Sequence, residues 1–143
     1  MSKLEDLEDI RLLKALYAER VDNNHRNPSH ATAVAATALF TDDAVLDPGS
    51  GVRYTGRAAI LNAFENIFPA QTAWSTHYIL NPVIEVIGST ATGRWYVLLY
   101  TQPNTTPSSP VFQVFGSYAE KYEKGPTGWR FKEVIATITA PKP

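Results

Sequence analysis

Three ionisable or phenolic side chains stand among otherwise apolar residues of this 143-residue chain: Tyr17, Asp22 and His77. His77 opens an apolar β-like run, and an imidazole readily exchanges a proton near neutral pH. Tyr17 lies on the apolar stripe of a predicted helix, so its ring should be buried and its hydroxyl should need a hydrogen-bond partner. Taken singly, the three have ordinary interpretations: a core aromatic ring, a solvated acid at a helix end and a histidine satisfied by one hydrogen bond.

The spacing of Tyr17 and Asp22 limits how the two can meet. Five residues of an ideal helix turn the chain by about 140°, so the two side chains diverge on a regular helix. They converge only if Asp22 lies at the helix end, where "VDNNHRN" begins to unwind. His25 and His30 flank "RNPS", and we expect both in a solvent-exposed loop.

Hydrophobic periodicity predicts three helices in the first half of the chain. The first covers residues 5–24, where apolar residues recur at three- and four-residue steps. The second begins after Ser29, which is a suitable N-cap. The third covers residues 57–68 and should end at Pro69, because proline cannot continue a helix ladder.

Strand-like segments fill most of the remaining sequence. Two short ones are expected at 44–47 and 52–56, and four long ones at 75–87, 91–102, 111–123 and 129–139. Three helices followed by four long strands indicate an α+β domain covering residues 1–143. A curved antiparallel sheet folded around the helices would explain why the strands are apolar on both sides.

Polar residues share one face of the strand that contains His77. Strand alternation places His77, Asn81 and Glu85 on the same side. Proline cannot donate to a sheet ladder, so Asn81-Pro82 is a candidate bulge that breaks the alternation. We therefore expect His77 to line a pocket and Glu85 to lie at its rim or on the surface.

Composition argues against several classes of function. The formal net charge is −1 and no cluster of Lys and Arg occurs, so a nucleic-acid partner is disfavoured. The absence of cysteine removes thiolate catalysis and zinc–thiolate sites, and no metal-ligand spacing such as HExxH is present. The N-terminus has no apolar signal region and no long apolar stretch, so we expect a cytoplasmic protein without a membrane partner.

Five segments carry a resemblance to a known family: "DIRLLKALYAERVD", "LFTDDAVLD", "YTGRAAILNAF", "THYILNPVIEV" and "GSYAEKYEKGPTGWRF". They resemble the SnoaL-like proteins of the nuclear transport factor 2-like superfamily, which includes scytalone dehydratase, bile acid 7α-dehydratase and ketosteroid isomerase. The similarity runs from about residue 5 to residue 136. It implies a cone-shaped α+β barrel, in which a curved antiparallel sheet wraps around the helices and encloses one apolar pocket.

The resemblance also implies roles for the three candidate residues. Tyr17, Asp22 and His77 fall on the catalytic positions of the bile acid dehydratase branch. The histidine would remove a proton next to a carbonyl, the tyrosine would hydrogen-bond a leaving hydroxyl or an oxyanion, and the aspartate would orient the histidine. Relatives work without a cofactor. Dehydration is therefore our first expectation, and isomerisation or polyketide cyclisation, which need the same proton abstraction, our second.

Two alternatives remain open. Asp47 in "DPGSG" resembles the proton-shuttling aspartate of ketosteroid isomerase, with Tyr100 and Gln102 as further polar candidates, although an aspartate at this place is also typical of a turn. The residues of the middle strands depart from the dehydratase pattern, since the second histidine of scytalone dehydratase is missing. The superfamily also includes binding and assembly modules without catalysis.

Aromatic residues suggest what the pocket would hold. The predicted wall consists of Tyr54, Phe64, Phe68, Trp74, Trp95, Tyr100, Phe112 and Phe115. Such a wall favours a flat, hydrophobic substrate such as a polyketide, terpenoid or steroid, with loop 102–110 shaping the mouth. Both faces of "WYVLLY" are apolar, so one face needs a partner, and we expect a homodimer or higher homo-oligomer through the open sheet face.

Overall fold

The described part of the chain is built on one six-stranded β-sheet. The computed structural model describes residues 2–104 and 109–139, so residues 105–108 of the predicted loop 102–110 lie outside it. The strands are β1 Phe40–Asp47, β2 Tyr54–Thr55, β3 Thr72–Ile87, β4 Thr90–Pro103, β5 Phe112–Gly125 and β6 Gly128–Thr139. Their spatial order is β2-β1-β6-β5-β4-β3.

The helices are α1 Lys3–Arg26, α2 His30–Thr37, α3 Arg57–Asn62 and α4 Phe68–Gln71, with a π-helical turn at Ala63–Ile67 between the last two. They pack on the curved sheet, and the α+β cone predicted from the sequence is confirmed. The sheet is open and mixed rather than wholly antiparallel, because β1 runs parallel to β6 while the other neighbours are antiparallel. No helix in residues 2–104 or 109–139 is long and apolar enough to cross a membrane.

The third helical region runs past the predicted stop at Pro69. Pro69 lies in the first turn of α4, where a backbone N–H has no helical partner and its loss costs nothing. The helix therefore continues to Gln71. The preceding π-helical turn contains Phe64, which is buried, and leads directly into Phe68.

A bulge divides β3 into two halves of opposite parity. Leu80 pairs with Tyr96 but Val83 pairs with Arg94, so β3 has one extra residue between the two pairs. Asn81 has a φ of 55°, a backbone conformation that asparagine tolerates better than most residues. The predicted bulge at Asn81-Pro82 is thus confirmed.

The change of parity separates the polar residues that the sequence places on one face. His77 pairs with Leu99 on the inner side, and its side chain is only 8 % exposed. Beyond the bulge Glu85 is exposed, opposite Thr92 on the outer side. His77 therefore lies inside the cone and Glu85 on its surface, as expected.

A buried ion pair fixes α1 against β5. Lys14 Nζ lies 2.5 Å from Glu120 Oε2, and both side chains are at most 1 % exposed. Tyr122 donates a hydrogen bond of 2.6 Å to the other oxygen of Glu120 and accepts one of 3.0 Å from Trp95 Nε1. Burial lowers the pKa of Lys14, and the carboxylate of Glu120 opposes that shift. Every charged atom of this group thus has a partner inside the core.

Removing one member of this pair should destabilise the fold strongly. Lys14→Met leaves the Glu120 carboxylate buried without its cation, and we expect a loss of about 3–5 kcal/mol in the free energy of unfolding. The double variant Lys14→Met/Glu120→Gln should regain at least half of that loss. Urea denaturation of the variants measures both changes.

Arg11→Met serves as the matched control, because Arg11 pairs with Glu8 on the surface, where the side chains are 47 % and 65 % exposed. That substitution should change the free energy of unfolding by less than about 1 kcal/mol. Equal losses for Lys14→Met and Arg11→Met would contradict this account of the buried pair.

Candidate active site

A cavity of about 320 Å³ lies between α1, the π-helical turn and the inner face of the sheet. Tyr17 and His77 line it, together with the predicted aromatic residues Tyr54, Phe64 and Phe68. Aliphatic side chains of three strands complete much of the wall: Leu46, Val97, Leu99 and Val114. The volume is in the range of sites that enclose a small organic molecule.

Asp22 and His77 form a tightly bonded pair at this wall. His77 Nδ1 lies 2.6 Å from Asp22 Oδ1, and the backbone N–H of His77 donates to Asp22 Oδ2 at 3.0 Å. Ser75 Oγ donates a third hydrogen bond, of 2.7 Å, to Asp22 Oδ1. Two residues of β3 thus hold one carboxylate of α1, and the carboxylate fixes the plane of the imidazole.

These hydrogen bonds keep Asp22 ionised. Burial alone would raise the pKa of Asp22, but the hydrogen bonds and charge of His77, with the hydrogen bond from Ser75, outweigh burial and hold the pKa below its ordinary value. An ionised carboxylate only accepts hydrogen bonds, so His77 Nδ1 carries a proton. In the neutral form of His77, Nε2 is therefore the basic nitrogen.

Tyr17 is the third candidate, and its ring lies edge-on to the imidazole, with 6.4 Å between ring centroids. The ring of Tyr118, which also lines the cavity, packs edge-on against that of Tyr17, with 6.0 Å between ring centroids. Burial, followed by the negative charge of Glu120, raises the pKa of Tyr17. The phenol thus stays protonated and can donate a hydrogen bond.

The helix spacing explains how these groups share a site. Tyr17, Val21 and His25 follow one another at four-residue steps along α1, and all three line the cavity. Asp22 points beside this stripe toward β3, so the helix does not need to unwind for Asp22 to meet His77. The expectation that convergence requires a helix end at Asp22 is wrong, because His77 reaches Asp22 from the sheet.

His25 is a cavity residue that the sequence analysis misplaced. It lies in the last turn of α1 rather than in a loop, and its Nδ1 is 2.6 Å from Ser75 Oγ. The four-residue step from Val21 was the signal that could have placed it on the cavity side. His30 is exposed, as expected, but it is the first residue of α2 rather than a loop residue, and its side chain contacts Glu65.

Several predicted wall residues lie elsewhere. Cavity residues on β4 are Val97, Leu99 and Thr101, so the alternate positions Tyr100 and Gln102 face the outer side. Trp74, which pairs with Gln102, donates to its Oε1 at 2.8 Å on that same side.

The remaining three predicted wall residues are displaced for different reasons. Trp95 faces inward but is packed deeper, against Tyr122. Phe112 and Phe115 are 48 % and 53 % exposed on β5.

Asp47 has the geometry of a turn residue. Its Oδ1 accepts the backbone N–H of Gly49 at 2.9 Å, and Arg53 Nε lies 3.7 Å from its Oδ2. The neighbouring Leu46 and Pro48 line the cavity, but Asp47 does not. Among the described residues, no group of three or more His, Asp or Glu side chains is arranged to hold a metal ion.

Burial of His25 has a consequence for stability. Burial first, and then the nearby His77, lower the pKa of His25 from its ordinary 6.5 to about 4, although Asp22 opposes the shift. Between these two values the unfolded chain binds a proton that the folded chain does not, so stability falls as the pH falls. The slope should approach about 1.4 kcal/mol per pH unit for one proton.

Urea denaturation between pH 7 and pH 4.5 tests this expectation. Wild type should lose stability on acidification more steeply than His25→Gln, which has no imidazole at this position. Parallel curves for the two proteins would show that His25 titrates alike in the folded and unfolded chains.

Comparisons with known proteins agree with this fold. A provisionally assigned aromatic ring hydroxylase of Novosphingobium aromaticivorans is 27 % identical, with a TM-score of 0.82 over 99 % of this chain and 94 % of that one. A provisionally assigned scytalone dehydratase of the same organism is 22 % identical, with a TM-score of 0.81 over 96 % and 86 %. A provisionally assigned dehydratase of the NTF2-like family from Streptomyces avermitilis is 14 % identical, with a TM-score of 0.80 over 96 % and 99 %.

No curated protein sequence matches the chain. Residues 2–135, however, match the family described as the SnoaL-like domain. That match covers almost the whole length and agrees with the resemblance carried by the five sequence segments. The chain therefore belongs to the SnoaL-like domain family, and its fold is that of the nuclear transport factor 2-like proteins.

Proposed function

We propose that this protein is a cofactor-independent lyase that removes a proton next to a carbonyl group and eliminates water from a small hydrophobic substrate. One observation carries the proposal: an imidazole held by an ionised carboxylate at 2.6 Å lines a mostly apolar cavity beside a neutral phenol. The dehydratase assignments of two structural neighbours are consistent with this reaction class.

His77 Nε2 is the base of the proposed reaction. It takes the proton from the carbon next to the carbonyl, and the electron pair of that bond forms the new double bond as the β-hydroxyl leaves. Asp22 stabilises the imidazolium that results and keeps Nε2 directed at the substrate. The imidazolium then returns its proton to the departing hydroxide, so the products are the unsaturated carbonyl compound and water.

Tyr17 stabilises the oxygen that gains negative charge. Because its pKa is raised, it hydrogen-bonds an oxyanion rather than giving up its proton. Tyr118 helps to hold Tyr17 in place, because its ring packs edge-on against the Tyr17 ring with 6.0 Å between centroids. The apolar walls from Phe64, Phe68 and the strand aliphatics favour a flat polyketide, terpenoid or steroid-like substrate.

Two other functions share parts of this site. An isomerase or polyketide cyclase would use the same proton abstraction, whereas the version based on Asp47 is disfavoured because Asp47 is engaged in its turn. A binding or assembly module would use the cavity without turnover. A hydroxylase, as assigned to one neighbour, would consume oxygen, which elimination does not.

A cytoplasmic location and a single domain over residues 1–143 stay predictions.

Substitution of the base should abolish turnover. On a panel of polycyclic β-hydroxy ketones, followed by enone absorbance, His77→Gln should lower kcat by a factor of about 10² to 10⁴. Asp22→Asn should lower kcat by a comparable factor because the wrong imidazole tautomer is then favoured, and Tyr17→Phe by roughly 10- to 1,000-fold.

His30→Gln is the matched control for the base, since His30 is a surface histidine whose side chain is 76 % exposed. It should keep wild-type kcat and KM. If wild type and His77→Gln bound the panel with equal affinity and neither turned it over, the protein would be a binding module and not a lyase. Turnover that survives in His77→Gln would remove His77 as the base.

We also propose that the protein forms a homodimer through an outer patch of β3, β4 and β5. Tyr78, Leu80, Tyr96 and Phe115 are between 45 % and 61 % exposed there. Leu80 pairs with Tyr96, and Phe115 pairs with Leu98, which in turn pairs with Tyr78. A contiguous apolar patch of this kind marks an interaction surface, and a second copy of the chain offers the same surface in return.

A charge in the centre of the outer patch should separate the dimer. Size-exclusion chromatography with light scattering should give a dimer for wild type and a monomer for Tyr96→Glu. Leu12→Glu is the control, because Leu12 is also an exposed apolar residue, at 58 %, but lies on helix α1 and not on the sheet. A monomeric wild type, or a dimeric Tyr96→Glu, would contradict the proposal.

A further inference from the structure

The polar wall of the cavity contains a second imidazole that the proposed elimination does not use. His25, Ser75 and His77 all line the cavity. A continuous chain of hydrogen bonds connects them: His25 Nδ1 to Ser75 Oγ at 2.6 Å, Ser75 Oγ to Asp22 Oδ1 at 2.7 Å, and Asp22 Oδ1 to His77 Nδ1 at 2.6 Å. The carboxylate of Asp22 is therefore connected to two imidazoles, directly to that of His77 and through Ser75 to that of His25.

Counting protons along the chain determines the tautomer of His25. Ser75 has one hydroxyl proton, and it is donated to the carboxylate of Asp22. Towards His25 the same oxygen can only accept, so His25 Nδ1 carries the proton of that bond. Neutral imidazole has one N–H, and Nε2 of His25 is left with a lone pair.

Nothing in the described residues satisfies that lone pair. Across residues 2–104 and 109–139, the hydrogen bonds of the His25 ring run only to Ser75. Burial, reinforced by the proximity of His77 and opposed by Asp22, keeps His25 unprotonated at neutral pH, with a pKa of about 4. His25 is consequently an acceptor at the cavity wall and not a second acid.

We propose that His25 Nε2 accepts a hydrogen bond from a hydroxyl group of the substrate and so selects a hydroxylated substrate. This inference rests on the proposed function, in that the ligand shares the cavity with His77. A carbonyl oxygen would face the lone pair of Nε2 and be repelled, and an alkyl group would leave that nitrogen unpaired, which is unfavourable in a buried site. The preferred ligand is thus a flat apolar molecule with an alcohol or phenol group at its edge.

The tautomer is tested directly by nitrogen-15 NMR of histidine side chains. In wild type His25 should show a protonated Nδ1 and an unprotonated Nε2 at neutral pH. Ser75→Ala removes the oxygen that accepts from Nδ1, so the two tautomers of His25 should then mix. A proton on Nε2 of His25 in wild type would overturn the inference.

Selectivity is tested with two probes of similar shape, 2-naphthol and 2-methylnaphthalene, whose dissociation constants are measured on the same proteins. One hydrogen bond should make wild type prefer the naphthol by a factor of roughly 3 to 10. His25→Leu should lower that factor to about 1. His25→Gln places an amide oxygen near the position of Nε2 and should keep part of the preference, a rescue that a merely structural role of His25 would not give.

The outcomes separate this inference from the proposed function, because probe binding needs no turnover. A wild type without preference, a failure of both probes to bind, or an unchanged preference in His25→Leu would each overturn the role of His25, whatever happens to the elimination. A preference lost in His25→Leu and kept in His25→Gln would support it, even if His77→Gln had no effect on any reaction.

Discussion

The site depends on the hydrogen bonds that the carboxylate of Asp22 accepts. It accepts hydrogen bonds from the backbone and side chain of His77 and from Ser75, so it connects the C-terminal part of α1 to the first half of β3. A buried carboxylate with this many donors stays charged, and the donors in turn acquire fixed orientations. One residue thereby aligns a helix with a strand. It also fixes a proton on His77 Nδ1 directly and on His25 Nδ1 through Ser75.

The site also depends on a second buried charge. Lys14 Nζ lies 4.0 Å from the centre of the Tyr17 ring and 3.4 Å from that of Tyr118, while Glu120 neutralises it from β5. A cation over the face of an aromatic ring is attracted to it, and the attraction is strongest where water is excluded. The two phenols of the cavity are thus held from behind by a group that does not itself line the cavity. Stability of the core and placement of the Tyr17 phenol therefore have the same cause.

Much of the fold could be predicted from local pattern. The apolar stripe of α1, the N-cap at Ser29 and the bulge at Asn81-Pro82 each follow from residues close in sequence, and the structure has all three. The extension past Pro69 was missed because proline ends a helix interior but fits a first turn, and the π-helical turn that creates that first turn leaves no local signal.

The candidate site was harder to derive because it depends on tertiary pairing. The wall residues on β4 were assigned without knowing its parity, so Tyr100 and Gln102 were placed on the wrong side. His25 was read as a loop residue because helix ends are set by packing as much as by sequence, and α1 extends to Arg26. Tyr118 and the pair Lys14–Glu120 had no signal in their own neighbourhoods, since each becomes meaningful only when β5 lies against α1.

Because of the bulge, the number of residues in β3, and not only their types, determines which side chains face the core. One extra residue determines which side of the sheet each side chain between Leu80 and the hairpin at Gly88-Ser89 faces. It places Ile84 and Val86 on the inner side and Glu85 on the outer side. In a strand of the same length without the bulge, the alternation would run unbroken from His77, and the carboxylate of Glu85 would face the apolar core. Loss of the bulge together with its extra residue would instead leave both halves of β3 paired with β4 as they are. The backbone conformation at Asn81 and the length of the strand are therefore coupled, and neither can change alone without turning the half-strand over.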